Sequence, residues 1–181
     1  MIESYEVTIK GKTFPVKPIK DIGGHSIEQY LIHSGQYILS TPYFSKDYRE
    51  QRMHSGQYAI ECFASTGDGK MFHSKTRPSD HYMLNFDNVS RPNYKLKTIK
   101  NIDSWIRKNR STLPFCPRWL QKDFKAGVPM ALNDLARKQK PPIITEYPVL
   151  ETNAGDLVSH YEHTIYIHDS HKEVLSFGDD Y

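Results

Sequence analysis

The residues best equipped for chemistry lie in Asp156-Leu157-Val158-Ser159-His160-Tyr161-Glu162-His163-Thr164-Ile165-Tyr166-Ile167-His168, where an alternating apolar pattern carries a glutamate flanked by imidazoles. On a strand, Tyr161, His163, Ile165 and Ile167 face one way, and Glu162, Thr164 and Tyr166 the other. A strand is a rigid base from which to present an acidic ligand. Two earlier segments offer partners: Gly23-Gly24-His25-Ser26 and Tyr58-Ala59-Ile60-Glu61-Cys62-Phe63. The hypothesis these segments raise is that His25, Glu61 and Glu162 converge on a divalent metal ion.

Each residue also has a plainer reading. Glu61 alternates with Ile60 and Cys62 and so shares a strand face with Ala59 and Phe63, a large aromatic that favours burial. A buried carboxylate is costly unless protonated, paired or bound to a cation, which leaves a metal ion and a basic side chain as alternative partners. His25 is equally a structural histidine beside a glycine turn. The chain has nine histidines, so coincidence is easy. His160 lies on the face of Glu162, as a supporting group or a surface residue. If the three residues do converge, imidazole plus carboxylate suits Mn, Fe, Co or Zn and disfavours metals that prefer thiolates. Such an ion polarises carbonyls and acidifies water, which is hydrolytic chemistry.

The rest of the chain must position these groups. Its 181 residues suffice for one domain with a sizeable core, and 38% hydrophobic with 25% charged residues describes a globular protein. A formal charge of +3 favours neither nucleic acid nor an acidic partner. Cys62 and Cys116 are far apart, which suggests neither a disulfide framework nor a thiolate metal site. The N-terminal residues lack a signal-peptide pattern and no apolar run approaches membrane-spanning length, so the expectation is a cytoplasmic protein without membrane contact.

In chain order, Tyr5 to Val16 reads as a β-hairpin around Gly11, with Pro15 and Pro18 confining its second arm to an edge. His25 to His33 reads as mostly extended, Leu39 to Gly56 as irregular, and Gln57 to Phe63 as a buried strand. The Gly67-Asp68-Gly69 stretch is turn chemistry without the spacing of a phosphate-binding loop. Leu96, Ile99, Ile102 and Ile106 recur at helical spacing up to Pro114 and Pro117. Short helices follow around Arg118 to Phe124 and Met130 to Ala136, closed by Pro141-Pro142. Residues 143–147, 157–167 and 172–176 return to β-type composition. The fold class is therefore α+β, with helices inserted between strands of a mainly antiparallel sheet.

Gly24-His25-Ser26-Ile27, Ile32-His33-Ser34-Gly35, the run Tyr58 to Gly67, His81-Tyr82-Met83, Tyr161-Glu162-His163-Thr164-Ile165 and the terminal Phe177 to Tyr181 together resemble the C-terminal portion of a type II methionine aminopeptidase. The resemblance covers essentially the whole chain in the right order. It implies half of a pita-bread fold, with a first part over 1–90, an inserted helical subdomain over 91–142 and closing strands over 143–181. It also implies a metallo-hydrolase that removes N-terminal methionine from nascent peptides, using two divalent ions. His25, Glu61 and Glu162 match metal ligands, and His33 matches a catalytic histidine that contacts substrate. Ile22, Ile32, Phe63, His81, Ala131, Tyr147 and Leu150 match walls of the methionine pocket. The family's two aspartate ligands have no counterpart here: the chain begins where the family's second half begins. At most one metal is then expected, and a separate N-terminal half becomes an expected partner. The alternative is a catalytically silent pita-bread fragment that binds protein or RNA. Its basic block from Lys95 to Lys125 could face the ribosome, although such charges usually form a solvated helix face.

Overall fold

The computed structural model describes residues 1–42, 52–85 and 92–179. Half of the irregular stretch expected over 39–56, at 43–51, and the last two residues of the Phe177 to Tyr181 terminus lie outside the described residues. Strands run in the order β1 (Glu6–Ile9), β2 (Lys12–Pro15), β3 (Lys17–Pro18), β4 (Gly23–Ile27), β5 (Tyr37–Leu39), β6 (Gly56–Ser65), β7 (Phe72–His73) and β8 (Tyr82–Leu84). Helices α1 (Lys97–Asn109), α2 (Pro117–Leu120) and α3 (Val128–Asn133) follow, and a π-type turn at Asp134–Lys138 extends α3. The chain then forms β9 (Ile144–Glu146), β10 (Leu150–Glu151), β11 (Val158–Ile167) and β12 (Lys172–Val174). It divides into two compact units, residues 1–72 with 150–181, and residues 73–149.

The first unit is built on an antiparallel sheet in the order β12-β11-β6-β4-β5, with β3 paired to the end of β6. Its spine is the β6–β11 ladder, ten residues on each strand, in register from Val158 opposite Ser65 to Ile167 opposite Gly56. Alternation of side chains requires that residues paired across this ladder share a face. β1 and β2 form the expected hairpin, Glu6 opposite Pro15, and Gly11 at its tip takes φ +78°, a backbone conformation that glycine adopts without steric cost.

The segment after β4 differs from the sequence expectation. Extended structure stops at Ile27, and a turn closed by the paired backbone hydrogen bonds of Glu28 and Leu31 sends the chain back. The Ser34 amide then donates to the Ser26 carbonyl, and the Ser34 hydroxyl donates to Ser26 Oγ at 2.7 Å. Tyr30 takes φ +63° in that turn, a conformation for which tyrosine composition gives no signal.

The second unit holds the helical block, with β8 and β9 paired antiparallel. Ile99, Ile102 and Ile106 of α1 are all buried, as their spacing requires. They pack with Phe115, Leu120, Val128, Ala131, Leu132, Leu135, Ile143 and Ile144 in one continuous apolar cluster. α1 ends at Asn109, ahead of Pro114 and Pro117, where Ser111 turns to φ +51°. Pro117 instead opens α2, at a position where its missing amide hydrogen is no loss. Asp103 is buried on α1 and is held by Arg107 Nε at 2.9 Å, one helical turn on.

Ile102 is fully buried in this cluster. Ile102→Ala should cost about 2–5 kcal/mol, seen as a lower urea-unfolding midpoint with the slope unchanged. A midpoint within error of the parent would show that α1 is not packed as described.

Candidate metal centre

The β6–β11 register places Glu61 directly opposite Glu162, and Phe63 directly opposite His160. β4 lies along the other side of β6 with His25 opposite Ala59, so that His25 is one diagonal step from Glu61 on the same face. Three segments distant in sequence therefore deliver their polar groups to one patch of one sheet face. Two glutamates directly opposite on adjacent strands repel each other and require a compensating positive charge.

The imidazoles sit where that charge is needed. His25 Nε2 is 3.3 Å from Glu61 Oε1, and His160 Nε2 is 3.2 Å from Glu61 Oε2 and 3.8 Å from Glu162 Oε2. Both oxygens of Glu61 thus face imidazoles rather than a lysine or arginine. The pairing with a basic side chain that was the alternative for Glu61 is found at Asp103 and Arg107 instead. Glu61 is 15% exposed at its side chain and Glu162 is 46% exposed, so Glu162 stands at the open side of the patch.

His25 is buried, and its Nδ1 lies 3.2 Å from the carbonyl oxygen of Ser26. A carbonyl only accepts, so Nδ1 carries the hydrogen and Nε2 is directed at an anionic oxygen. That contact is favourable only with a proton or a cation between the two atoms. The Glu61 hydrogen bond raises the pKa of His25 above the ordinary imidazole value, against the opposing effect of burial. His33 is shifted the other way, chiefly by burial and then by the nearby His25. The returning turn brings its ring edge-on to His25, with centroids 4.3 Å apart.

The donor chemistry fits a divalent ion. One ligand atom each from Glu61, His160 and Glu162 lies within 4.8 Å of the others. Donors about 2.0–2.2 Å from a common ion are at most about 4.4 Å apart, so small side-chain rotations close the set. His25 approaches the same Glu61 through its other oxygen and senses Glu162 through its charge.

The structure brings His25, His33, Glu61 and Glu162 together. Ile22, Ile32, Phe63 and Leu150 belong to the same unit, all at least partly accessible. His81, Ala131 and Tyr147 belong to the other unit. There the Tyr147 amide donates to the His81 carbonyl, His81 Nδ1 is 2.9 Å from Asp80 Oδ1, and Ala131 is fully buried in the helical cluster. His160 is the site residue that sequence reasoning left without a definite role. Its position two residues before Glu162 was a signal, but only the register shows that it also reaches Glu61.

No family model matches the chain. Among curated proteins it is 38% identical over 181 residues to methionine aminopeptidase 2 of Schizophyllum commune, covering 99% of this chain and 40% of that protein. It is 39% identical over 181 residues to methionine aminopeptidase 2 of Laccaria bicolor, covering 99% of this chain and 48% of that protein. The chain is a relative of the methionine aminopeptidases of type 2. It spans less than half the length of these relatives. Among solved structures, that of a thermophilic Arx1 superposes with a TM-score of 0.63 at 17% identity, covering 84% of this chain and 38% of that one. That likeness concerns the fold, which is the mixed α/β pita-bread architecture expected from the resemblance to methionine aminopeptidases. Among the described residues no helix is long and apolar enough to cross a membrane.

Gly24 sits tight against β6: a Cβ there would run into the backbone carbonyl of Ala59 and the amide of Glu61. Gly24→Ala should force the two strands apart and cost about 1–3 kcal/mol, measured as a lower unfolding midpoint. Unchanged stability would show that the strands carrying His25 and Glu61 are not so tightly apposed.

Proposed function

We propose that the chain carries part of the active centre of a cytosolic metallo-aminopeptidase that removes N-terminal methionine from peptides. One observation supports this most strongly. Glu61 and Glu162 stand in register on neighbouring strands with an imidazole at each oxygen of Glu61, in a chain related to methionine aminopeptidase 2.

His25, Glu61 and Glu162 would hold the ion, one of Mn, Fe, Co or Zn, which supplies Lewis acidity toward the scissile carbonyl and toward an attacking water. Glu162, at the open side of the patch, would leave such an ion accessible to a peptide terminus. His25, anchored through Nδ1 to Ser26, keeps its Nε2 oriented without needing to search rotamers. His33, its pKa lowered by burial, is neutral near pH 7 and able to donate or accept a hydrogen bond at the peptide. Ile22, Ile32 and Phe63 offer apolar surface of the kind a thioether side chain needs. The relatives extend over more than twice this chain's length, and a further polypeptide segment supplying additional carboxylate ligands is part of this proposal.

The test is metal analysis with a methionyl-peptide cleavage assay on this chain, alone and with the remaining portion of a relative added. Metal uptake by the chain, with cleavage appearing when the portion is added and disappearing with a chelator, is the expected result. No metal uptake and no cleavage under either condition would overturn the proposal in favour of a binding role. Glu162→Gln should weaken metal binding by more than the roughly 10–100-fold expected for losing a group that merely orients a ligand. His33→Ala should leave metal content intact while lowering turnover of the active assembly by about 100-fold or more. Loss of metal in that variant would place His33 among the ligands.

A further inference from the structure

The methionine aminopeptidase reading assigns the ion to His25, Glu61 and Glu162 and gives His160 no part in binding it. The fold nevertheless brings His160 to the same carboxylates. Its Nε2 is aimed into the gap between two carboxylates contributed by two strands, 3.2 Å from Glu61 and 3.8 Å from Glu162. Among the described residues, Glu61, His160 and Glu162 form a group of three donors within ligand range of one another.

The position follows from the ladder. His160 and Glu162 are two residues apart on β11 and share a face, and Glu61 is the cross-strand partner of Glu162. The three side chains occupy three corners of one rectangle on the sheet, and Phe63 takes the fourth. The Phe63 ring stacks on the His160 imidazole at 4.2 Å with 6° between planes, holding the ring at the orientation that directs Nε2 between the acids. The His160 side chain is 43% exposed, so a hydrated ion reaches it from solvent. An imidazole lodged between two carboxylates and fixed by an aromatic neighbour is preorganised for a cation.

We propose that His160 is itself a metal ligand, joining His25, Glu61 and Glu162 around one Mn, Fe, Co or Zn ion. This inference rests on the metal centre proposed above and adds a ligand that the centre was not assigned. With His25 at the other oxygen of Glu61, the chain then offers four donors from its own residues. These four donors would suffice to retain an ion. Glu61 becomes the carboxylate shared between two imidazoles, one at each oxygen.

The test uses the full chain, loaded with Co(II) alone, and compares the parent with His160→Gln, His160→Ala and Glu162→Gln, each checked for native circular dichroism. Glutamine keeps a hydrogen-bond donor toward Glu61 but removes the imidazole. Equilibrium dialysis should show His160→Gln and His160→Ala each weakening Co(II) binding by about 100-fold or more, beyond the cost of losing a mere orienting group. Paramagnetic proton NMR of the parent should show far-shifted exchangeable imidazole signals from both His25 and His160, and His160→Gln should lose the latter alone. If His160→Gln retains parental affinity while Glu162→Gln loses it, His160 is not a ligand and the metal centre stands without it. If glutamine restores what alanine loses, His160 only positions Glu61 and the inference fails. If the parent chain binds no Co(II), the metal centre itself falls.

Discussion

The architecture depends on a pair of like charges held face to face. Glu61 and Glu162 are direct partners across two central strands of the sheet, an arrangement that costs free energy unless something cationic lies between or beside them. The ten-residue ladder of β6 and β11 makes this pairing hard to escape, because a one-residue slip would turn every side chain of one strand to the opposite face. The fold thus spends part of the stability of its longest strand pairing to hold two acids together, and it surrounds them with imidazoles.

The other groups reach the same face through strand order. β4 fits between β5 and β6 because its two leading glycines allow close approach, Gly23 against the backbone of Ile38 and Leu39 in β5 and Gly24 against that of Ala59 in β6. His25 follows immediately and falls on the face of Glu61. The turn at Glu28 to Leu31 then folds the chain back through the Ser26–Ser34 hydrogen bonds, and that reversal sets His33 against His25. The pKa values of two neighbouring histidines are consequently shifted in opposite directions. The one bonded to a carboxylate is drawn toward its charged form, and the one that is chiefly desolvated is held neutral.

The two units divide their work. The continuous apolar cluster lies in residues 73–149, built from α1, α3 and the short strands, while the sheet unit buries few large side chains and carries the acids and imidazoles. Buried charge is treated differently in the two. Asp103 is neutralised locally by Arg107 one helical turn away, a permanent internal pairing. Glu61 is partnered by histidines, whose imidazole nitrogens can also serve as metal ligands.

Much of this was legible in the sequence, where a local pattern sufficed. The Leu96, Ile99, Ile102, Ile106 spacing identified α1, the Tyr5 to Val16 alternation identified the hairpin, and the alternation around Glu162 identified β11, because helices and strands impose periods on single segments. Glu61, Glu162 and His25 stood out through residue type and neighbours. The end of β4 at Ile27 did not, since Tyr30 in a left-handed conformation carries no glycine or asparagine signal. Nor did the reach of His160 to Glu61, ninety-nine residues away in the chain. Which face a residue occupies is a property of its own strand and can be read from sequence. Which residue of another strand stands opposite it depends on the long-range register of backbone hydrogen bonds, and only the folded sheet decides that.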